Sequence, residues 1–294
     1  MNNHMEAEAT PRDMPSAFKK ILRSVSWTAV HSIIYFGVLI PLIMLWYKVM
    51  GNHDQYGEWF NNNGIVMIVV NDIIQITLFY GFIRIAKKEN LFKRCNFVRI
   101  EPTKIYLIIA LSLAAAVFTH TLFALPYLKS NFGGYESVMA FLVDTPSGWS
   151  FLLFLLIGSF YKEIFFRGLL FNELRRGLYL PVCYLLLCVI YTYYFELMRD
   201  VPLMLYAAVG TCLFTTLYLW TRSMYSAVIM QVLSTGGIYV LRHNAMIEQY
   251  HNGYHNALLV FTFSIIIFCL FKLRALCQTP SAYEHEDFKK YAKQ

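Results

Sequence analysis

The chain has 294 residues, 57% of them hydrophobic and only 15% charged, with a mean hydropathy of +0.47. A soluble domain carries about 25% charged residues, so these values exclude an ordinary water-soluble fold and describe a polytopic membrane protein. The net charge of +7 flanks apolar runs and lies in no nucleic-acid-binding motif, so it bears on topology and no nucleic-acid partner is expected.

The first 26 residues are polar and lack an apolar core followed by a small-residue cleavage site. They read as a cytosolic segment and not as a cleavable signal peptide. Apolar runs of about 20 residues mark membrane helices. Eight are expected, near 27–47, 65–86, 105–125, 149–174, 181–198, 202–220, 223–240 and 256–273. The expected fold is therefore all-α, a membrane helix bundle. Residues 27–148 hold the first helices, 149–240 a core, 241–277 an outer loop and the last helix, and 278–294 a cytosolic tail. The connections 48–64 and 127–148 read as outer loops, the second without regular structure, because Phe132-Gly-Gly-Tyr135 and Asp144-Thr-Pro-Ser-Gly148 carry turn chemistry.

One stretch stands apart. Ser159 to Gly177 is apolar at its flanks yet holds Lys162, Glu163 and Arg167 within six residues. A charge at the centre of a membrane helix costs about 2.5–3.5 kcal/mol. Glu163 and Arg167 are four apart with the acid first, which puts them on one helix face in the favourable order. Lys162 has Phe166 in the corresponding place, so its partner comes from another helix or from water. Further polar groups lie inside the spans and must face protein or water: Asn71, Asp72 and Gln75 in the second, Cys188, Thr192 and Glu196 in the fifth, Thr211, Thr215 and Thr216 in the sixth, and Gln231, Ser234 and Thr235 in the seventh. The threonines read as packing residues. Gly177 to Pro181 reads as a hairpin turn. At 1.5 Å per residue Glu163 and Glu196 then stand about 21–22 Å above it and face each other.

His31 and His120 fall at opposite ends of their spans and read as packing residues. His251 and His255 have metal-ligand spacing only on a helix, and the intervening Asn-Gly favours a turn, so no metal or other cofactor is expected there. Six cysteines, with no Cys-x-x-Cys pair, read as free thiols.

The Lys162-Glu163-Ile-Phe-Phe-Arg167-Gly168 segment resembles the first signature of the type II CAAX endopeptidase and bacteriocin-processing intramembrane metalloprotease family (CPBP, also called ABI), Glu-Glu-x-x-x-Arg followed by Gly. The resemblance covers roughly residues 150–240, including the joint from Tyr218 to Ser223, and implies an eight-helix bundle. It also implies that the first Glu of the pair activates water, aided by two histidines on later helices. Here the first Glu is Lys162. The first histidine falls on Phe195, or on Glu196 with a one-residue gap, and the second falls on Gln231, with Thr235 as its partner.

A general base is needed for peptide hydrolysis, and a protonated Lys is not one. The resemblance therefore implies a catalytically degraded protein that binds or regulates a membrane protein or secreted peptide, in maturation, export or immunity. A second reading is an active endopeptidase with Glu163 or Glu196 as base. A third, a transporter-like protein, lacks the inverted repeat and broken helix pair that such folds show.

The basic residues set the orientation. Placing the N-terminus in the cytosol puts 19 Lys and Arg in inner segments and four, Lys48, Lys129, Arg199 and Arg242, in outer ones. Both termini of this cell-membrane protein are thus expected in the cytosol. Reporter fusions that fluoresce only in the cytosol should light up at both residue 1 and residue 294, and a dark fusion at either end would reverse the assignment.

Overall fold

The computed structural model describes residues 14–144, 147–193, 200–244 and 252–278. Among these the regular secondary structure is all helical, with no strand. Eight principal helices follow in order. They are α1 (Met14–Ile43, continued by wide π-turns over Met44–Met50), α2 (Gly64–Lys87), α3 (Pro102–Phe123), α4 (Gly148–Leu174), α5 (Leu180–Tyr191), α6 (Val201–Thr221), α7 (Met224–His243) and α8 (Asn252–Cys277). All but α5 are long and apolar enough to cross a membrane. The fifth span, expected over 181–198, is described as a helix only to Tyr191, with residues 194–199 outside the described residues.

Helix starts follow local chemistry. Pro102, Pro181 and Pro202 stand in the first turns of α3, α5 and α6, where a missing N–H costs nothing. Asp200 accepts from the Leu203 amide at 2.9 Å, and Ser147 caps α4 through the Ser150 amide. Two sequence expectations need correction. The connections 48–64 and 127–148 contain short helices at Gly57–Asn62, Pro126–Asn131 and Gly134–Met139. The last helix begins at Asn252 and runs through Asn252-Gly253. In both places turn-forming residues were outweighed by burial of neighbouring side chains such as Tyr135, Met139 and His255.

The centre of the bundle is α4. All eight residues from Ile164 to Phe171 are buried, the all-round burial expected of a helix enclosed by others. Helices α1, α2, α5 and α7 pack around it, while α3 lies along both α7 and α8 on the flank. Close approach is visible at Gly237 of α7, where an added Cβ would meet Ala116 Cβ at 2.8 Å, the small-residue contact that lets membrane helices associate without a hydrophobic driving force.

At one end of the bundle Glu173 gathers three cations. Arg94 pairs with it directly, Arg176 reaches both its oxygens at 3.2 Å, and Lys87 Nζ lies 3.5 Å away. Lys87 also sits 3.4 Å above the Trp27 ring. Ser24 of α1 donates to the carbonyls of Glu173 and Leu174. Beside this network, residues 95–98 wedge between α4 and the α6–α7 corner. The corner turns on Arg222, whose φ of 54° is left-handed. Asn96 donates to the Arg222 carbonyl and Ser223 donates to the Val98 carbonyl, while the Met224 amide donates to the Asn96 carbonyl at 3.0 Å. These bonds let α6 and α7 follow each other with almost no loop. At the opposite end, Arg242 binds Glu136 at 3.0 Å and Asp144 at 2.6 Å.

Gly177 is where the α4–α5 turn meets α1. An added Cβ would lie 2.6 Å from the Lys20 carbonyl and 2.7 Å from Ser24 Cβ, both on a helix that cannot yield cheaply. Gly177→Ala is therefore expected to destabilise the fold by about 1–3 kcal/mol. Gly81, on α2, faces open space, so Gly81→Ala should be neutral or stabilising by up to about 1 kcal/mol, because Ala is the better helix former. Thermal unfolding of the two variants in one detergent checks the contrast, and equal midpoints would refute it.

Candidate functional site

The site begins with Arg167, which is fully buried. A guanidinium cannot lose its proton in a protein, so burial obliges the surroundings to supply charge and acceptors. Nη1 donates to Glu163 Oε1 at 3.0 Å, one helical turn back on α4. Nη2 donates to the Thr211 carbonyl of α6 at 3.4 Å, using that oxygen's second lone pair. Three rings surround the cation, with Phe214, Tyr191 and Phe166 centroids at 5.3, 5.5 and 5.9 Å. Their faces supply cation–π attraction. The backbone changes character here: after Glu163 the helix opens into π-turns from Ile164 to Phe171. Such widened turns recur at functional sites in other proteins.

Four polar atoms in this layer have no hydrogen-bond partner among the described residues: Glu163 Oε2, Arg167 Nε, Thr211 Oγ1 and Thr215 Oγ1. Thr211 and Thr215 are one turn apart on α6 and fully or almost fully buried. A buried donor or acceptor left unmade costs about 1–3 kcal/mol, so the layer has unspent capacity for a polar guest.

Lys162 points to a neighbouring sector, its Nζ 4.7 Å from the Tyr191 ring centroid. Tyr191 thus stacks on both cations of the site. Asp72 of α2 lies within electrostatic reach of Lys162, and its carboxylate sits against Gly158 of α4, where an added Cβ would be 3.3 Å from Oδ2. Gly158 and Lys162 are four apart on one face of α4. Asp72 Oδ1 accepts from Asn71 at 3.0 Å, Gln75 donates to the Asn71 side chain at 3.3 Å, and Gln75 also donates to the Tyr35 carbonyl of α1 at 2.8 Å. The polar sector expected on the second span is thus a buried hydrogen-bonded strip joining α1, α2 and α4.

The other expected site residues are placed less centrally. Gln231 donates to Thr235 within α7 at 2.8 Å, on a helix that packs against Ser159–Glu163. Phe195 and Glu196 lie outside the described residues, as does His251. His31 is buried among Trp27, Phe79 and Phe82, and His120 is buried near the end of α3. Among the described residues no group of three or more His, Cys, Asp and Glu stands close enough to hold a metal. Among the described residues, the ionisable side chains beside Glu163 are Lys162 and Arg167, both cations, and these do not fit the metal the resemblance implies, since a divalent ion needs several anionic or imidazole ligands.

Sequence reasoning missed the Glu173 network, whose one legible signal is Arg176 three residues beyond Glu173. It also assigned Thr211 to packing alone. The Thr211 carbonyl contact with Arg167 carries no sequence signature, because any residue has a carbonyl.

Removing one partner of a buried ion pair costs about 3–5 kcal/mol. Arg167→Ala should therefore lower the yield of folded, monodisperse protein several-fold. Arg167→Lys should recover only part of it, because one ammonium cannot serve Glu163, the Thr211 carbonyl and three ring faces together. Fluorescence-detected size-exclusion profiles give the readout, and a wild-type profile for Arg167→Ala would contradict this description of the pair.

Comparison with known proteins agrees with the resemblance. A family model described as Rce1-like, type II CAAX prenyl endopeptidase, matches residues 144–236, a segment containing all of α4, α5 and α6 and most of α7. No curated protein and no solved structure matches the chain. Across residues 144–236 the chain is thus similar to the Rce1-like type II CAAX prenyl endopeptidases, the family that its Glu163-x-x-x-Arg167-Gly168 stretch resembles.

Proposed function

We propose that this multi-pass membrane protein keeps the polar chamber of the Rce1-like family as a binding site and has lost the family's hydrolysis. The observation that carries the reading is the pairing around Lys162. In the family signature that position is the carboxylate that activates water. Here it is an ammonium held over the Tyr191 ring, 4.7 Å from its centroid. A lysine in such surroundings contributes charge and not basicity. Gln231, at the position of a supporting histidine, gives its amide to Thr235 and cannot shuttle a proton. The Glu163–Arg167 pair, by contrast, is intact, and the unspent donors and acceptors beside it suit a polar group of a guest. The occupant under this reading is a membrane protein or a secreted peptide, bound for regulation, export or immunity within the lipid bilayer.

One observation favours a second reading. Glu163 Oε2 is buried without a hydrogen-bond partner among the described residues, so an oxygen is available to take a proton from water. In that case Glu163 replaces the missing carboxylate as base, and the protein is an endopeptidase with a rearranged site.

Two assays separate the readings. Capture from native membranes in mild detergent, read by mass spectrometry, should return a stable partner that is lost or weakened about tenfold in Lys162→Ala. Purified wild type should leave helical and C-terminal peptide reporters uncleaved. Cleavage by the wild type that disappears in Glu163→Gln would overturn the binding reading and establish Glu163 as base.

A further inference from the structure

Helices α5 and α6 meet in a fixed antiparallel register. Tyr184 and Thr216 share a hydroxyl–hydroxyl hydrogen bond of 2.9 Å. Four residues further along α5 and four residues back along α6, Cys188 Sγ and Cys212 Sγ are 3.5 Å apart. Cys188 also lies 3.6 Å from the Ala208 carbonyl, one turn further in the same register. Both thiols are half-buried, whereas Cys95, Cys183 and Cys269 are buried. The pair is therefore only partly covered while being held face to face by its neighbours.

We infer that Cys188 and Cys212 form an oxidisable dithiol, a covalent modification site at which a hydroperoxide cross-links α5 to α6. A disulfide requires an S–S distance of about 2.05 Å, so the sulfurs must close by about 1.5 Å, a movement within reach of side-chain rotation on two helices already in register. The hydroperoxide is the oxidant. One thiol sulfur takes its terminal oxygen, giving a sulfenic acid and an alcohol, or water when the oxidant is hydrogen peroxide. The second thiol sulfur then displaces the hydroxyl, forming the S–S bond and releasing water. Two thiols lose two hydrogens and two electrons, and the O–O bond accepts them.

The cross-link would act on the polar chamber. Cys212 follows Thr211, whose carbonyl accepts from Arg167, and Cys188 precedes Tyr191 by less than one turn. Joining the two sulfurs fixes the ring over Lys162 and the carbonyl on Arg167 relative to each other. This site stands independently of whether the chamber binds or hydrolyses. One feature makes it selective: the other cysteines have no thiol within contact among the described residues.

The test uses the full-length protein in native membranes, treated with cumene hydroperoxide, which partitions into lipid. Free thiols are blocked with N-ethylmaleimide under denaturing conditions. Reducible ones are then released, given a second label and located by peptide mass spectrometry. Cys188 and Cys212 should pass together into the second label, at least fivefold more than any other cysteine. In Cys188→Ala the Cys212 signal should fall to background, and the converse should hold for Cys212→Ala. The wild-type experiment stands even if a variant folds poorly. Both thiols remaining in the first label, or either one pairing with a different cysteine, would overturn the inference.

Discussion

A guanidinium buried in the middle of a membrane bundle constrains everything near it. Arg167 cannot be neutralised by losing its proton, so the fold must bring it an anion, acceptors and polarisable surface. It does so from three helices. Glu163 comes from its own helix, the Thr211 carbonyl from α6, and the rings of Tyr191 and Phe214 from α5 and α6. Each of these would be an unexplained expense alone. Together they hold α4, α5 and α6 in one arrangement, because sliding any of the three leaves a charge unpaired in a low-dielectric interior. The π-turns that follow Glu163 lie where this constraint is strongest.

The same logic is repeated at the end of the bundle with the signs reversed. There one buried carboxylate, Glu173, pairs with Arg94, Lys87 and Arg176. It links the end of α4 to the end of α2 and, through Ser24, to α1. Between the two clusters α4 runs through the buried Gly168, Leu169, Leu170 and Phe171 and then Asn172, which donates to the Tyr218 hydroxyl at 2.8 Å. The helix thus carries its polar commitments near its middle and at its terminus, and the hydrophobic residues between them fill the core. Gly168 belongs to this scheme as well. An added Cβ there would meet Cys95 Sγ, so the glycine after Arg167 is required by the loop that braces the α6–α7 corner.

Much of this was legible in the sequence, and the physical reasons separate what was from what was not. Seven spans follow from apolar length, because a bilayer demands an uninterrupted run. The Glu163–Arg167 pair follows from spacing on one helix face. The strip of Asn71, Asp72 and Gln75 was visible as a polar sector in an apolar span. What escaped depends on contacts between segments far apart in the chain. Asp72 lies against Gly158, the Thr211 carbonyl meets Arg167, Arg94 reaches Glu173, and Cys188 faces Cys212. None of these leaves a periodic trace. The short helices in the connections 48–64 and 127–148 escaped for a different reason, since their glycines and asparagines signal turns locally and only burial of neighbours such as Tyr135 overrides that preference.

The central claim is that Arg167 and Glu163 act as one unit within the bundle. A double-mutant cycle with Arg167→Met and Glu163→Leu, followed by unfolding of all four proteins in mixed micelles, measures that directly. Each single variant should be destabilised by about 3–5 kcal/mol, and the double variant by far less than their sum, giving a coupling of about 3 kcal/mol or more. A coupling within about 0.5 kcal/mol of zero would mean that the two residues contribute independently, and the account built on their pairing would be wrong.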